Sequence, residues 1–220
     1  MREERKARNR IPSKEEMERA LTERHTRGLQ EKLSAARVAV AGLGGLGSNI
    51  ALWLARLGVG HLLLVDFDRV ELSNLNRQQY FLRHLGMEKA RAMEEILKEV
   101  NPYLDVRCLC CRVREDNLEE IFQDWDYICE AFDRAEEKAM LVNGILEHFP
   151  EKILIAASGM AGFGRSGEIR TRRISGNFYL CGDGTSESGP GYGLMAPRVA
   201  LCAAHQANLA AELILGGAAE

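Results

Sequence analysis

The hexapeptide Gly42-Leu43-Gly44-Gly45-Leu46-Gly47 fits G-x-G-x-x-G, and its flanks decide how it is read. Before it stands a short apolar run, Arg37-Val38-Ala39-Val40-Ala41. After it, residues 48–57 place Ile50, Leu54 and Leu57 at helical spacing. A glycine turn between a buried strand and a helix lets backbone N–H groups approach a phosphate at the positive helix end. Asp66 closes the next apolar run, 62–65, at about the 20-residue interval where an acid binds ribose hydroxyls. Gly42, Gly44, Gly45, Gly47 and Asp66 are therefore the nucleotide-contacting candidates. Taken alone, the turn fits NAD as well as ATP.

The same alternation continues along the chain. Continuous apolar runs at 106–110, 127–131 and 153–157 read as strands of the kind a parallel sheet buries on both faces. Helical patterns occupy 88–100, 117–122 and 136–148, with Asn101-Pro102 and Phe149-Pro150 as stops. The expected fold is α/β, a doubly wound, Rossmann-like, mostly parallel sheet with helices on both faces. Residues 168–174 and 178–180 read as a C-terminal antiparallel extension. The Gly- and Ser-rich stretch 182–193 reads as a crossover-type loop, and 196–215 as a helix with Pro197 in its first turn and Gly216 as its C-cap. Residues 1–35 are charged, and the S-x-x-E spacing from Ser13 to Glu16 starts a helix near Lys14. The expected division is a helical arm, 1–35, and one nucleotide-binding domain, 36–220.

A net charge of only −3 supplies no field that would favour nucleic acid or a membrane surface. No apolar run reaches the roughly 20 residues that span a bilayer. The charged stretch at 2–10 lacks an apolar signal core, so a cytoplasmic protein is expected. None of the six cysteines forms a C-x-x-C pair, so no zinc site is expected. Cys108, Cys110 and Cys111 lie in a run that reads as a strand, and buried structural thiols are expected there.

The segment that separates the nucleotides is Asp66-Phe67-Asp68-Arg69-Val70-Glu71-Leu72-Ser73-Asn74-Leu75-Asn76-Arg77-Gln78-Gln79, with Lys89 opening the following helix. Set behind a G-L-G-G-L-G turn, it resembles the ThiF/MoeB/HesA family, relatives of the nucleotide-binding half of ubiquitin-activating enzymes. The resemblance runs from about residue 24 to residue 216. It implies adenylation, in which a carrier's C-terminal glycine carboxylate attacks the α-phosphate of ATP and pyrophosphate leaves. Charge builds on phosphoryl oxygens in such a step, so fixed cations supply much of the catalysis. The resemblance assigns Arg77 and Lys89 to phosphate contacts, and Asp68, Asn74 and Gln78 to the nucleotide's polar surroundings. It assigns Asp133 to holding magnesium or orienting the triphosphate, and Arg27 to a homodimer partner's site. All three charged residues Arg77, Lys89 and Asp133 are expected to be exposed and of small consequence for folding.

Larger members of that family carry zinc on two C-x-x-C pairs, of which only Cys181 remains here, so ATP and magnesium are implied and zinc is not. Cys181 is also the one thiol placed for a covalent link to a carrier, although its segment reads as a strand end. The short C-terminus and the segment 194–199 resemble the short ThiF-type members. That implies a ThiS-like, ubiquitin-like sulfur-carrier protein as partner in thiamine biosynthesis, with a molybdopterin-synthase-type carrier as the alternative. An NAD-dependent oxidoreductase would leave Asn74, Arg77 and Lys89 without a role. A non-catalytic carrier-binding scaffold would have no need of every phosphate-site residue. Arg170-Thr171-Arg172-Arg173 reads as a solvated strand edge.

Overall fold

The computed structural model describes residues 10–187, 189 and 193–216. Positions 2–9 of the charged N-terminal stretch, and 188 and 190–192 of the expected loop, lie outside them. The capping box at the first helix is present. Glu16 N–H donates to Ser13 Oγ (3.2 Å) and Ser13 N–H to Glu16 Oε2 (2.7 Å), and helix α1 runs over Lys14–His25. Helix α1 buries no residue, whereas α2 (Arg27–Ala35) buries Gln30 and Leu33.

The sheet contains β1 (Arg37–Ala41), β2 (His61–Val65), β3 (Asp105–Leu109), β4 (Tyr127–Glu130), β5 (Ile153–Ala157), β6 (Arg170–Ser175) and β7 (Phe178–Gly182). Their spatial order is β3-β2-β1-β4-β5-β7-β6. Every neighbouring pair is parallel except β6 with β7. The connecting helices are α3 (Gly45–Leu57), α4 (Lys89–Val100), α5 (Leu118–Phe122) and α6 (Ala135–His148), and α7 (Ala196–Leu215) follows β7. Strand alternation divides the core. Val38, Val40, Leu62 and Leu64 join one cluster with residues of α3, α4 and α7. Ala39, Ala41, Leu63 and Val65 join the other with α5 and α6. Leu62, Leu63 and Leu64 are all fully buried, and each such side chain contributes about 1.5–3 kcal/mol relative to exposure. Strand order reverses between β1 and β4, and a crevice at that switch point is where open α/β sheets bind ligands.

Several expectations need correction. Helix α3 begins at Gly45 rather than residue 48, because the glycine turn runs straight into the first helical turn with Gly44 as N-cap. The C-terminal antiparallel extension is present as the β6–β7 pair, and β7 in addition pairs parallel with β5, which joins it to the main sheet. All six residues of β6 are exposed, which suits its arginines as protection of a sheet edge. The three cysteines at 108–111 are not a buried set. β3 ends at Leu109, so Cys110 and Cys111 leave the strand, and Cys110 is exposed. β3 is the opposite edge of the sheet, which leaves Cys108 only half-buried. The buried thiols are Cys129, Cys181 and Cys202. Among the described residues no helix is long and apolar enough to cross a membrane.

Candidate nucleotide site

A cleft of about 680 Å³ opens where β1, β2, β4 and β5 end, and the glycine turn forms its floor. Gly42 has φ +90°, and a Cβ there would sit 2.8 Å from the Ala131 carbonyl oxygen, so only glycine fits. A Cβ on Gly47 would overlap the Gly42 carbonyl oxygen. Gly44 caps α3 with no side-chain hydrogen bond, which leaves first-turn N–H groups of that helix for an anion.

Asp66 ends β2 beside this turn and is buried. Its Oδ2 accepts from Leu43 N–H (2.6 Å) and its Oδ1 from Asp68 N–H (2.8 Å). Burial raises its pKa above the usual carboxylate value, opposed by the Lys89 charge and by the two N–H donors. Lys89 Nζ lies 2.9 Å from Asp68 Oδ2. Lys89 is only 6% exposed, which corrects the expectation of a solvated charge. The start of α4 packs under the cleft, and the ammonium is held where its ion partner faces solvent. Arg77 meets expectation better, being half-buried and tethered only to Asn76 Oδ1 (2.9 Å) and, at 3.4 Å, to the Ser73 carbonyl. Asn74 accepts from Glu71 N–H (3.1 Å) and so shapes the 3-10 turn Leu72–Asn74. Gln78 is buried with its Nε2 aimed at Gly44, and its Oε1 has no partner among the described residues.

Asp133 is exposed and lines the cleft beyond β4. Behind it lies a pair that sequence patterning does not single out. Glu130 is 0% exposed and accepts from Phe132 N–H (2.8 Å) and from Lys138 Nζ (2.9 and 2.7 Å). Lys138 reaches back from α6 and also donates to the Phe132 carbonyl (3.1 Å). The pair fixes the path of residues 131–133, and Ala131 and Phe132 in turn pack on Gly42. Burial raises the Glu130 pKa, partly offset by the Lys138 charge.

Other unforeseen contributors follow the same pattern of distant residues meeting. Tyr80 Oη donates to the Leu43 carbonyl (2.9 Å). Asn49 Nδ2 donates to the Gly45 carbonyl (2.6 Å) and, at 3.3 Å, to that of Arg77, joining the Arg77 loop to the first turn of α3. Phe67, with the Arg112 guanidinium 4.3 Å above its ring, forms one end wall. The segments after β5 and β7 add Ser158, Gly159, Met160, Ala161, Ser186, Glu187 and Leu194 to the lining.

Two site expectations fall outside the cleft. Arg27 is exposed at the start of α2, pairs with Glu31 (3.1 Å), and does not line the cleft of its own chain. Cys181 is a fully buried β7 residue whose thiol pKa burial pushes up to about 11. A buried, protonated thiol is not poised for attack, so the strand-end reading stands. Among the described residues no three His, Cys, Asp or Glu side chains group to hold a metal by themselves.

Residues 17–220 match the ThiF family as a whole. The molybdopterin-synthase adenylyltransferase of Haemophilus influenzae is 37% identical over 113 residues, 51% of this chain and 46% of that protein. The sulfur carrier protein adenylyltransferase of Thermus thermophilus is 38% identical over 105 residues, 47% of this chain and 39% of that protein. The matched stretch thus spans less than half the length of either relative. Among solved structures, E. coli tRNA N6-threonylcarbamoyladenosine dehydratase, TcdA, crystallised with ATP, superposes with a TM-score of 0.82 at 21% identity, over 94% of this chain and 97% of that one. E. coli MccB with ATP gives 0.66 at 20% identity, over 86% and 59%. These two likenesses concern the fold. The glycine turn, Asp66 and the Asn74–Arg77–Gln78 segment meet in one cleft, and with the match over 17–220 they establish that the chain belongs to the ThiF family.

Proposed function

We propose that this protein is an ATP-dependent adenylyltransferase acting on the C-terminal carboxylate of a small ubiquitin-like sulfur-carrier protein. The observation that carries the reading is that Arg77, Lys89 and Asp133 line the same cleft as the glycine turn and Asp66. A carrier carboxylate oxygen attacks the α-phosphorus, the bond to the bridging oxygen breaks, and that oxygen leaves with pyrophosphate and the electron pair. The turn N–H groups and Arg77 hold phosphoryl charge, Lys89 serves the same charge from below, and Asp66 accepts from the ribose. Magnesium suits Asp133, since that ion is commonly held by one or two carboxylates together with substrate phosphates. A reducing cytoplasm suits the six free thiols.

A ThiS-like carrier in thiamine biosynthesis is the preferred substrate. The name of the Haemophilus influenzae relative supports a molybdopterin-synthase-type carrier as the second reading. Carrier-dependent ATP–pyrophosphate exchange with each carrier decides between them, and failure with both would refute the activity. In the absence of carrier, ATP with magnesium at about 100 times its Kd should raise Tm by roughly 5–10 °C. A rise with NAD and none with ATP would return the site to the oxidoreductase reading.

Completion of the site by Arg27 of a homodimer partner is part of the same proposal, because Arg27 stands free of its own cleft and, among the described residues, makes an exposed pairing to Glu31. Mixing Arg27→Ala with Arg77→Ala chains should restore exchange activity, since one site in the mixed dimer would be intact. A fully active monomer in solution would exclude this arrangement.

A further inference from the structure

The two long walls of the cleft differ in charge. The phosphate side carries Arg77 and Lys89 beside the helix α3 terminus, whereas among the described residues the lining stretches 157–161, 186–187 and 194 contribute no cation and one carboxylate, Glu187. A triphosphate has no counter-charge there, but an uncharged extended main chain does not need one. These stretches touch the core only in part: Ala161 is buried and Met160 and Leu194 pack against the core, while Phe163 is 71% exposed and Met195 46%. Polar contacts tie the segments to one another. Asp183 N–H donates to the Gly159 carbonyl (3.0 Å) and Gly184 N–H to that of Ser158 (2.9 Å). Asp183 accepts from the N–H groups of Thr185 and Ser186 (2.8 Å each) and from Ser186 Oγ (2.6 Å). Arg198, in the first turn of α7, donates to Asp183 Oδ2 (2.5 Å) and to the Gly164 (2.6 Å) and Arg165 (3.0 Å) carbonyls. The side chains of this ion pair are only 4% and 7% exposed. A Cβ on Gly159 would overlap Asp183 Oδ1, so the loop at 158–165 is seated directly on the clamped carboxylate.

We infer that the Asp183–Arg198 pair is the positioning clamp of the acceptor wall, setting the channel along which the carrier's glycine-rich tail reaches the α-phosphate. Buried ion pairs are weak sources of stability, and their best-attested use is to select one arrangement. Arg198 suits that use because its rigid planar fork reaches two loop carbonyls from one nitrogen and a carboxylate from another, fixing their relative positions, whereas a lysine would have to gather all three on a single nitrogen. The inference rests on the adenylyltransferase reading for the identity of the acceptor. The clamp itself rests only on geometry.

The test compares Arg198→Met, Arg198→Lys and Asp183→Asn with the parent protein, using whichever of the ThiS-type and molybdopterin-synthase-type carriers supports exchange. Arg198→Met should raise the carrier KM at least tenfold with kcat at saturating carrier reduced much less, and should leave the ATP Kd within twofold. Arg198→Lys should fall between parent and Met variant. Carrier KM within twofold of parent, or ATP affinity falling by the same factor as carrier affinity, would overturn the assignment. If Arg198→Met does not fold, the same comparison is read from Asp183→Asn. Hydrogen exchange without any carrier provides an independent arm. It should quicken at least tenfold at 158–165 and 183–187 and remain unchanged at 42–48 and 77–89. Acceleration spread equally over both walls overturns the clamp. A parent protein that adenylates neither carrier refutes the functional reading, and the exchange arm then decides the clamp.

Discussion

Replacing Lys89 with Met should lower carrier-dependent ATP–pyrophosphate exchange by about 10²–10³, the usual loss on removing one fixed electrostatic donor from a developing charge. The ammonium is enclosed at the base of the cleft, beside Asp68 and close enough to the buried Asp66 to oppose its raised pKa. Its removal withdraws a cation from the phosphates and a counter-charge from the ribose-binding acid. Folding should weaken by only about 1 kcal/mol, because the Asp68 carboxylate left behind is half-exposed and hydrates readily. Asp66 then has a still higher pKa, so ATP affinity in the variant should fall further as pH drops towards mild acid, where the acid protonates and loses its acceptor character. Arg77→Ala should lose rate on the same scale with stability changed by less than about 0.5 kcal/mol, since its tethers are a neighbouring amide and a long contact to a carbonyl. Exchange assays beside urea unfolding check both variants. Folded proteins exchanging at the parent rate would remove these cations from the chemistry.

The largest stability effect is expected at Lys138→Met, which strands the Glu130 carboxylate in the interior. Breaking a buried pair from one side costs about 3–5 kcal/mol, and the partial exposure of the Lys138 side chain places this case near the lower end. The sign of the pH dependence follows from the direction of the Glu130 shift. Its folded pKa lies above the usual carboxylate value because burial disfavours the charge, and loss of Lys138 raises it further. The folded state then holds a proton that the unfolded state releases, so stability falls as pH rises through that window. The deficit should therefore be greatest at neutral pH and shrink as pH is lowered towards mild acid. Glu130→Gln/Lys138→Met together should recover much of the loss, since no uncompensated charge remains. Denaturant midpoints across pH read this directly, and a deficit independent of pH would mean that Lys138 acts through packing alone.

Much of this architecture was legible because its causes are local. A continuous apolar run reports a strand buried on both faces, and the glycines between β1 and α3 report backbone geometry that a Cβ would forbid. Helix α7 ran over the expected residues because Pro197 and Gly216 mark its two ends within a turn of each. On the phosphate side, the glycine turn and Asp66 were legible because they directly follow β1 and β2, whose ends a doubly wound sheet brings together, whereas Asn74, Arg77, Gln78 and Lys89 were assigned by the resemblance to the ThiF/MoeB/HesA family.

What only the tertiary structure decided depends on neighbours far along the chain. Cys108 is only half-buried and Cys129 fully buried although both lie in strands, because β3 is a sheet edge and β4 lies at its centre. Lys89 opens a helix with nothing in its spacing to mark it as buried, and packing beneath the glycine turn makes it so. Glu130 and Lys138 stand two helical turns apart in sequence terms, yet the pairing exists only because the end of β4 and the start of α6 close over residues 131–133. Asp183 meets Arg198 only once β7 has paired with β5 and α7 has packed back on the sheet. Residue patterning therefore determined the elements, the phosphate turn and the family. Long-range packing determined which charges are enclosed, because burial and pairing are properties of the assembled layers and not of any segment alone.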